Sequence, residues 1–241
     1  TTPLPKVTAA LNDKTTPVSY FGLAVIDTAS STVRNVQASD AGRTSIAGIA
    51  VQPYPFQASS TTNFGAQEFS DMVPVPPGVV DVNRSGFQTV YCNGAPNANQ
   101  TRPVCVWVAP TSGPHVQGGF EIAPSASAVA TATAGNTGNG AVSAVVVDAT
   151  AAQNGSYSVQ FTGATAFNVY DANGRALLAG KTGVAYVDGG LSFTITAGGI
   201  AFVAGDSISI VVTFQTITLD SKSYFNGPGD PNGAAELAFN L

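Results

Sequence analysis

The 241-residue chain is short of charge. Lys, Arg, Asp and Glu make up 10% of it, against roughly 25% in an ordinary soluble protein. The 9 basic and 14 acidic residues give a net charge of −5 and form no block of one sign. A nucleic-acid partner calls for a basic stripe that neutralises phosphates, and an anionic membrane calls for a basic cluster; the sequence has neither. It has no run of about 18 apolar residues, which excludes a transmembrane helix. Histidine, tryptophan and methionine each occur once, and cysteine twice. Any Ser–His–Asp arrangement must therefore use His115, which sits in SGPHVQGG, a turn flanked by Gly and Pro. No Gly-x-Ser-x-Gly elbow accompanies it. Cys92, Cys105 and His115 are too few and too far apart in sequence for a zinc site.

Helical spacing is also nearly absent, because 26 Gly and 15 Pro interrupt most windows. Period-two alternation is there instead. Tyr157, Val159 and Phe161 alternate with Ser156, Ser158, Gln160 and Thr162. Phe193 and Ile195 alternate with Ser192, Thr194 and Thr196, and Ile208, Ile210, Val212 and Phe214 alternate with mostly Ser and Thr. Apolar on one side and hydroxyl on the other is the signature of half-buried strands. DANG at 171–174 and DGG at 188–190 supply turns between them. The expected class is all-β: an N-terminal barrel or sandwich-like region plus an inserted or appended immunoglobulin-like or jelly-roll-like domain.

The chain divides by composition. Residues 1–17, with Pro3, Pro5 and Pro17, read as an extended arm. A first β-domain follows over 18–123, with apolar strands at YFGLAVI (20–26) and SIAGIAV (45–51), where Gly48 permits close backbone approach. Residues 52–66 form a long irregular loop of the kind that carries contacts. Residues 72–82, with PVPPG at 74–78, read as an edge or connector. Residues 86–92 and 103–109 read as a strand pair around a polar loop, which places Cys92 opposite Cys105 as a possible disulfide; two buried free thiols are the alternative. PSASAVATATA at 124–134 is uncharged and low in complexity, and is expected to be a linker. A β-sandwich module occupies 135–214, and the tail 215–241 is expected to return to the first domain. TTPLPKVTAAL has no basic region ahead of an apolar core, so no signal peptide is visible in it, and loss of an initiator Met before Thr1 is the simple expectation.

Other chemistry is thin. DANG lacks the further carboxylates of a calcium loop. Asp220, Asp230 and Glu236 lie in one tail without a sign that they converge as a glycosidase pair. Trp107, in VCVWVAP, is expected in the core.

Certain strings carry a family likeness. GNTGNG, NGSYSVQFTGATAFNVYDANG and LSFTITAGGIAFVAGDSISIVV resemble a β-domain of tailed-bacteriophage head-decoration and cement proteins. GRTSIAGIAVQPYP, VPVPPGVVDVNRSGFQTV, PVCVWVAPTSG and GPGDPNGAAELAFNL resemble the capsid-coating cement proteins themselves. The resemblance implies a structural virion protein, not an enzyme, with no cofactor and no metal. It would sit on the outer capsid surface, bind the major capsid protein and form a homotrimer. The expected contact residues are Thr1, Pro3, Pro5 and Lys6 of the arm, Pro53, Tyr54 and Phe56 of the long loop, and Pro74, Pro76 and Pro77. The other reading is a carbohydrate- or host-surface-binding β-domain, with Tyr54, Phe56, Tyr170 and Tyr186 as exposed aromatics. A β-rich hydrolase is disfavoured because no nucleophile, base and orienting group are visible together.

Overall fold

The computed structural model describes residues 6–13, 22–28, 32–41, 43, 45–51, 79–220 and 222–240. The protein is all-β, as the alternation and the Gly and Pro load require. It divides into two compact units, Thr1–Pro124 with Thr216–Leu241, and Ser125–Gln215. The first contains β1 (Lys6–Asn12), β2 (Ala24–Asp27), β3 (Thr32–Asn35), β4 (Gly48–Val51), β5 (Val79–Asn93), β6 (Cys105–Trp107) and β7 (Phe120–Glu121). The chain then builds the second unit from β8 (Ala126–Ala132), β9 (Ala141–Val142), β10 (Val146–Val147), β11 (Gly155–Phe161), β12 (Ala166–Tyr170), β13 (Ala176–Lys181), β14 (Ala185–Asp188), β15 (Leu191–Thr196) and β16 (Ser207–Phe214). It returns to the first unit with β17 (Thr216–Thr218), β18 (Tyr224–Phe225) and β19 (Ala234–Asn240). The second unit is thus an insertion between β7 and β17.

The first unit is organised on β5. Its N-terminal part pairs with β1 and β4, its middle with β19, and its last two residues with β7 in parallel. Val80 and Val82 are fully buried and pack with Val25, Val33 and Ala50 as one small core. A larger core gathers Ile26, Ile49, Val90, Val106, Phe120, Ile217, Phe225, Leu237 and Phe239. Gly48 lies where a Cβ would meet the Val82 side chain and would stand 2.6 Å from the Asn83 carbonyl oxygen. Close backbone approach is the reason for glycine there.

Three expectations change. Lys6–Asn12, expected within an extended arm, is β1, laddered to β5 and β3. The prolines precede it, and KVTAALN itself contains none. Residues 79–82, expected within an edge or connector, belong to β5, where Asp81 and Val82 have β1 on one side and β4 on the other. Cys92 and Cys105 are not opposite each other in a hairpin: β7 lies between β5 and β6, and both thiols are free and buried.

The second unit is a sandwich. A five-stranded sheet runs β13-β12-β11-β16-β8, and a four-stranded sheet joins β10, β15 and β14 with β9. Tyr157, Val159, Phe167, Ile208 and Ile210 of one sheet share a core with Tyr186, Leu191, Phe193 and Ile195 of the other. Residues 126–132, expected as linker, are strand β8. The Ala residues at 126, 128 and 130 pack on the core, and Ser127, Val129 and Thr131 face outward, so the strand alternates with side chains too small to announce it.

This fixes where the insertion should be cut. Ser125–Gln215 expressed alone is expected to melt in one cooperative transition followed by circular dichroism. Residues 135–214, which lack β8 and leave β16 as a bare edge, are expected to melt lower or to aggregate. A non-cooperative melt of the longer piece would show that it depends on the first unit.

Candidate functional site

A polar cluster surrounds the single histidine. Ser112 and His115 form an isolated β-bridge that closes a tight turn, with Gly113 in the left-handed region. The turn presents the His115 ring to β7, where Nδ1 lies 2.8 Å from Oε1 of Glu121. Glu121 is buried, and its Oε2 accepts from Asn93 Nδ2 at 2.9 Å. An ionised carboxylate can only accept, which assigns a ring proton to Nδ1, an atom that also lies 3.2 Å from Asn93 Nδ2. The ring stacks on Trp107, with centroids 4.2 Å apart and planes at 17°. Trp107 is buried and donates Nε1–H to the Pro110 carbonyl at 3.2 Å, while the Tyr91 hydroxyl donates to the Pro114 carbonyl at 3.0 Å. The cluster has the orienting half of a catalytic dyad. Its contacts pin the 108–118 loop to β5 and β7. The signal available in sequence was Glu121, a carboxylate between Phe120 and Ile122 and six residues past the only histidine.

Other buried charges also hold backbone. Asp40 receives both Arg34 guanidinium nitrogens at 2.8 Å, Arg43 Nε at 3.0 Å and the Gln37 N–H at 2.8 Å. Burial pushes its carboxyl up, but the Arg34 bonds, the Gln37 N–H and Arg43 outweigh this and hold it below the usual carboxylate range. Asp206 accepts from the N–H groups of Thr137, Gly138 and Val203 at 2.8–3.0 Å. Asp171 accepts from the Asn173 and Arg175 N–H groups and from Arg175 Nε, so DANG is a turn. No group of three or more His, Cys, Asp or Glu among the described residues is placed to hold a metal ion.

Two shallow concavities lie among the described residues. In the first unit Thr8, Ala10, Asp27, Thr28 and Arg84 line about 390 Å³. The Arg84 guanidinium there is engaged by Thr8 Oγ1, the Ala47 carbonyl and Asp27. In the second unit Val146, Asp148, Val187, Asp188 and Ser192 line about 360 Å³. Neither concavity contains His115.

The expected contact residues are mostly not brought into view. Thr1, Pro3, Pro5, Pro53, Tyr54, Phe56, Pro74, Pro76 and Pro77 lie outside the described residues. Lys6 opens β1 opposite Ser85 and is exposed. Burial pushes the Cys92 thiol up to about 12 and the Cys105 thiol to about 11, so both stay protonated and unreactive. Tyr170 is half-buried. Tyr186 is no exposed platform: it is 4% exposed, 4.9 Å from Phe193 between ring centroids, and its hydroxyl has no hydrogen-bond partner among the described residues. Strand alternation places it on the core face.

No family model matches the chain, and no curated protein matches it. Among solved structures it is similar to Xanthomonas campestris FlgL in two crystal forms, space groups H3 and C2. In each, identity is 32% over 38% of this chain and 30% of FlgL, with a TM-score of 0.31. A score of that size does not establish a shared fold.

Two outcomes follow from the geometry. Tyr186→Phe removes a buried hydroxyl that has no partner among the described residues, so it is expected to leave stability unchanged or raise it by about 1 kcal/mol in urea unfolding. Asp40→Asn is expected to cost about 3 kcal/mol near neutral pH, because it breaks a buried ion pair. The lowered carboxyl of Asp40 contributes stability above the ordinary carboxylate range, and that contribution fades as pH falls through its folded-state value. The variant and the parent should therefore converge on acidification; a constant gap down to strongly acidic pH would contradict this.

Proposed function

We propose that the chain is a structural protein of a tailed-bacteriophage virion, binding the outer capsid surface and cementing neighbouring major-capsid subunits. The observation that carries the reading is the ordered resemblance of its strings to cement and decoration proteins, running from GRTSIAGIAVQPYP to GPGDPNGAAELAFNL. The site geometry supports it. The buried carboxylates Asp40, Glu121, Asp171 and Asp206 are engaged in tying turns and loops. A rigid scaffold suits a cement protein, whose contact surface must keep its shape. The partners in this reading are the major capsid protein and further copies of the chain as a trimer; no catalysis is involved. The glycan-binding reading is weakened because Tyr186 belongs to the core.

Attachment in this reading rests on apolar and backbone contact. Exposed ion pairs contribute about 0–1 kcal/mol each and are screened by salt. Apolar burial contributes about 25 cal/mol per Å² and is not screened. Of the arginines Arg34, Arg43 and Arg84, each is already paired within the chain. Purified chain added to particles that lack it should bind, and most copies should stay on through graded NaCl washes but leave in chaotrope. No binding would overturn the cement reading. Binding that simple salt reverses would overturn the apolar interface instead. Deletion of residues 1–5 should weaken attachment without unfolding the chain, whereas deletion through residue 16 removes β1 and should destabilise it.

A further inference from the structure

The five-stranded sheet has two edges that are finished differently. At β13 the Leu178 N–H is taken by Asp188 Oδ2 at 2.9 Å, the ladder to β12 shifts register between Asn168 and Tyr170, and Lys181 ends the strand. Charge and irregularity of this kind keep an edge from recruiting another strand.

The β8 edge has none of these devices. Its ladder to β16 runs without a shift from Ala132↔Ile208 to Ala126↔Phe214. Just beyond its ends, the Thr133 N–H donates to the Ser207 carbonyl at 3.0 Å and the Gln215 N–H to the Ser125 carbonyl at 2.9 Å. In an antiparallel ladder, hydrogen-bonded pairs alternate with non-bonded ones. Ser127, Val129 and Thr131 therefore direct their backbone groups to β16. The alanines at 126, 128, 130 and 132 direct theirs to the open side, where β10 runs nearby but pairs with β15. No Asp, Glu, Lys or Arg occurs between Glu121 and Asp148, and β8 contains no proline.

The strand is also nearly the same in both directions. Ala-Ser-Ala-Val-Ala-Thr-Ala (126–132) is symmetric about Val129 apart from Ser127 against Thr131. We propose that β8 is a self-association edge, pairing antiparallel with β8 of a second copy across a two-fold axis at Val129. In this register Ala128 meets Ala130 of the second copy and Ala126 meets Ala132, so the outward-directed backbone groups oppose one another. Val129 meets its own counterpart in the non-bonded position, and Ser127 meets Thr131 hydroxyl to hydroxyl. A two-fold interface demands such self-complementarity. Val129 is 65% exposed and its ladder partner Val211 is 46% exposed. The pairing turns these two exposed valines into an apolar strip of four across the joined sheet. The absence of charge lets two copies meet here although each carries −5. The contact is independent of the virion reading, and in a trimeric protein it would join copies of different trimers.

The test is Val129→Cys in the full chain, mildly oxidised and run on a non-reducing gel. Opposed residues lie about 4.5–5.5 Å apart at Cβ, within easy adjustment of a disulfide. A covalent dimer is expected. Val211→Cys is the control, since its two copies would stand about 14 Å apart, three strand spacings, and should not cross-link. Ala130→Pro removes an outward N–H and leaves the β16 ladder intact, as an edge strand permits. Added to Val129→Cys, it should cut cross-linking at least about tenfold with an unchanged far-ultraviolet spectrum. Should that variant fail to fold, Val129→Lys, a change at an exposed position, should shift the parent protein to a smaller species in sedimentation. No cross-link at 129, equal cross-linking at 129 and 211, or a parent that sediments like Val129→Lys at every concentration would overturn the proposal.

Discussion

The first unit depends on the fifteen residues of β5 and on how they change partners. Few strands in globular proteins run so long, because twist carries the far end away from its neighbours. Here the strand turns that divergence to use. Residues 79–85 pair with β1 and, at 81–83, with β4 on the other side, residues 85–91 pair with β19, and Cys92 and Asn93 pass to β7. Gly86, with φ of 121°, follows Ser85, where the β1 ladder ends and the β19 ladder begins. A side chain is disfavoured at that angle, and the glycine lets the strand bend between two sets of neighbours. Both cores of the unit are anchored on it: Val80 and Val82 in the smaller, Val90 and Cys92 in the larger.

A chain with many loops and little charge must still satisfy its buried backbone groups. It does so with a few carboxylates, each taking several donors. Asp206 alone closes the turn at Thr137 and Gly138 onto the approach to β16, and Asp171 closes the turn after β12. Burial opposes the charge in Asp206, and the three N–H donors prevail, so its carboxyl is held low. His115 and Glu121 extend the same device to a side-chain pair, with Trp107 beneath the ring as a flat support. The acidic excess of the sequence is in part a count of such ties, which is why charge composition alone gave no hint of the site.

What could be read in advance was local. The alternation over 155–161 and 207–214 is β11 and β16, since large apolar residues fall on one face and hydroxyls on the other. The return of the tail was legible from AAELAFN, now β19. The misreadings share a cause: partners far away in sequence. Lys6–Asn12 is a strand because residues 79–85 lie against it. The expected Cys92–Cys105 hairpin fails because β7, which begins fifteen residues beyond Cys105, slips between the two strands. β8 obeys the alternation rule, but Ala against Ser and Thr gives too little contrast in hydrophobicity to stand out from a linker. The His115 cluster needed the fold to bring Asn93 beside Glu121.

The insertion is accommodated by where it starts and stops. Its first and last strands, β8 and β16, are direct neighbours, and Ser125 and Gln215 are joined by a backbone bond and by their side chains. The two chain crossings therefore lie side by side. On the other side of the boundary, Thr216 enters β17 and pairs at once with Trp107 of β6. Each unit closes its own ladders within a residue or two of the crossing. Little loop entropy separates the ends, because the β8–β16 ladder already holds them together. A domain can be inserted in this way without lengthening any strand of its host.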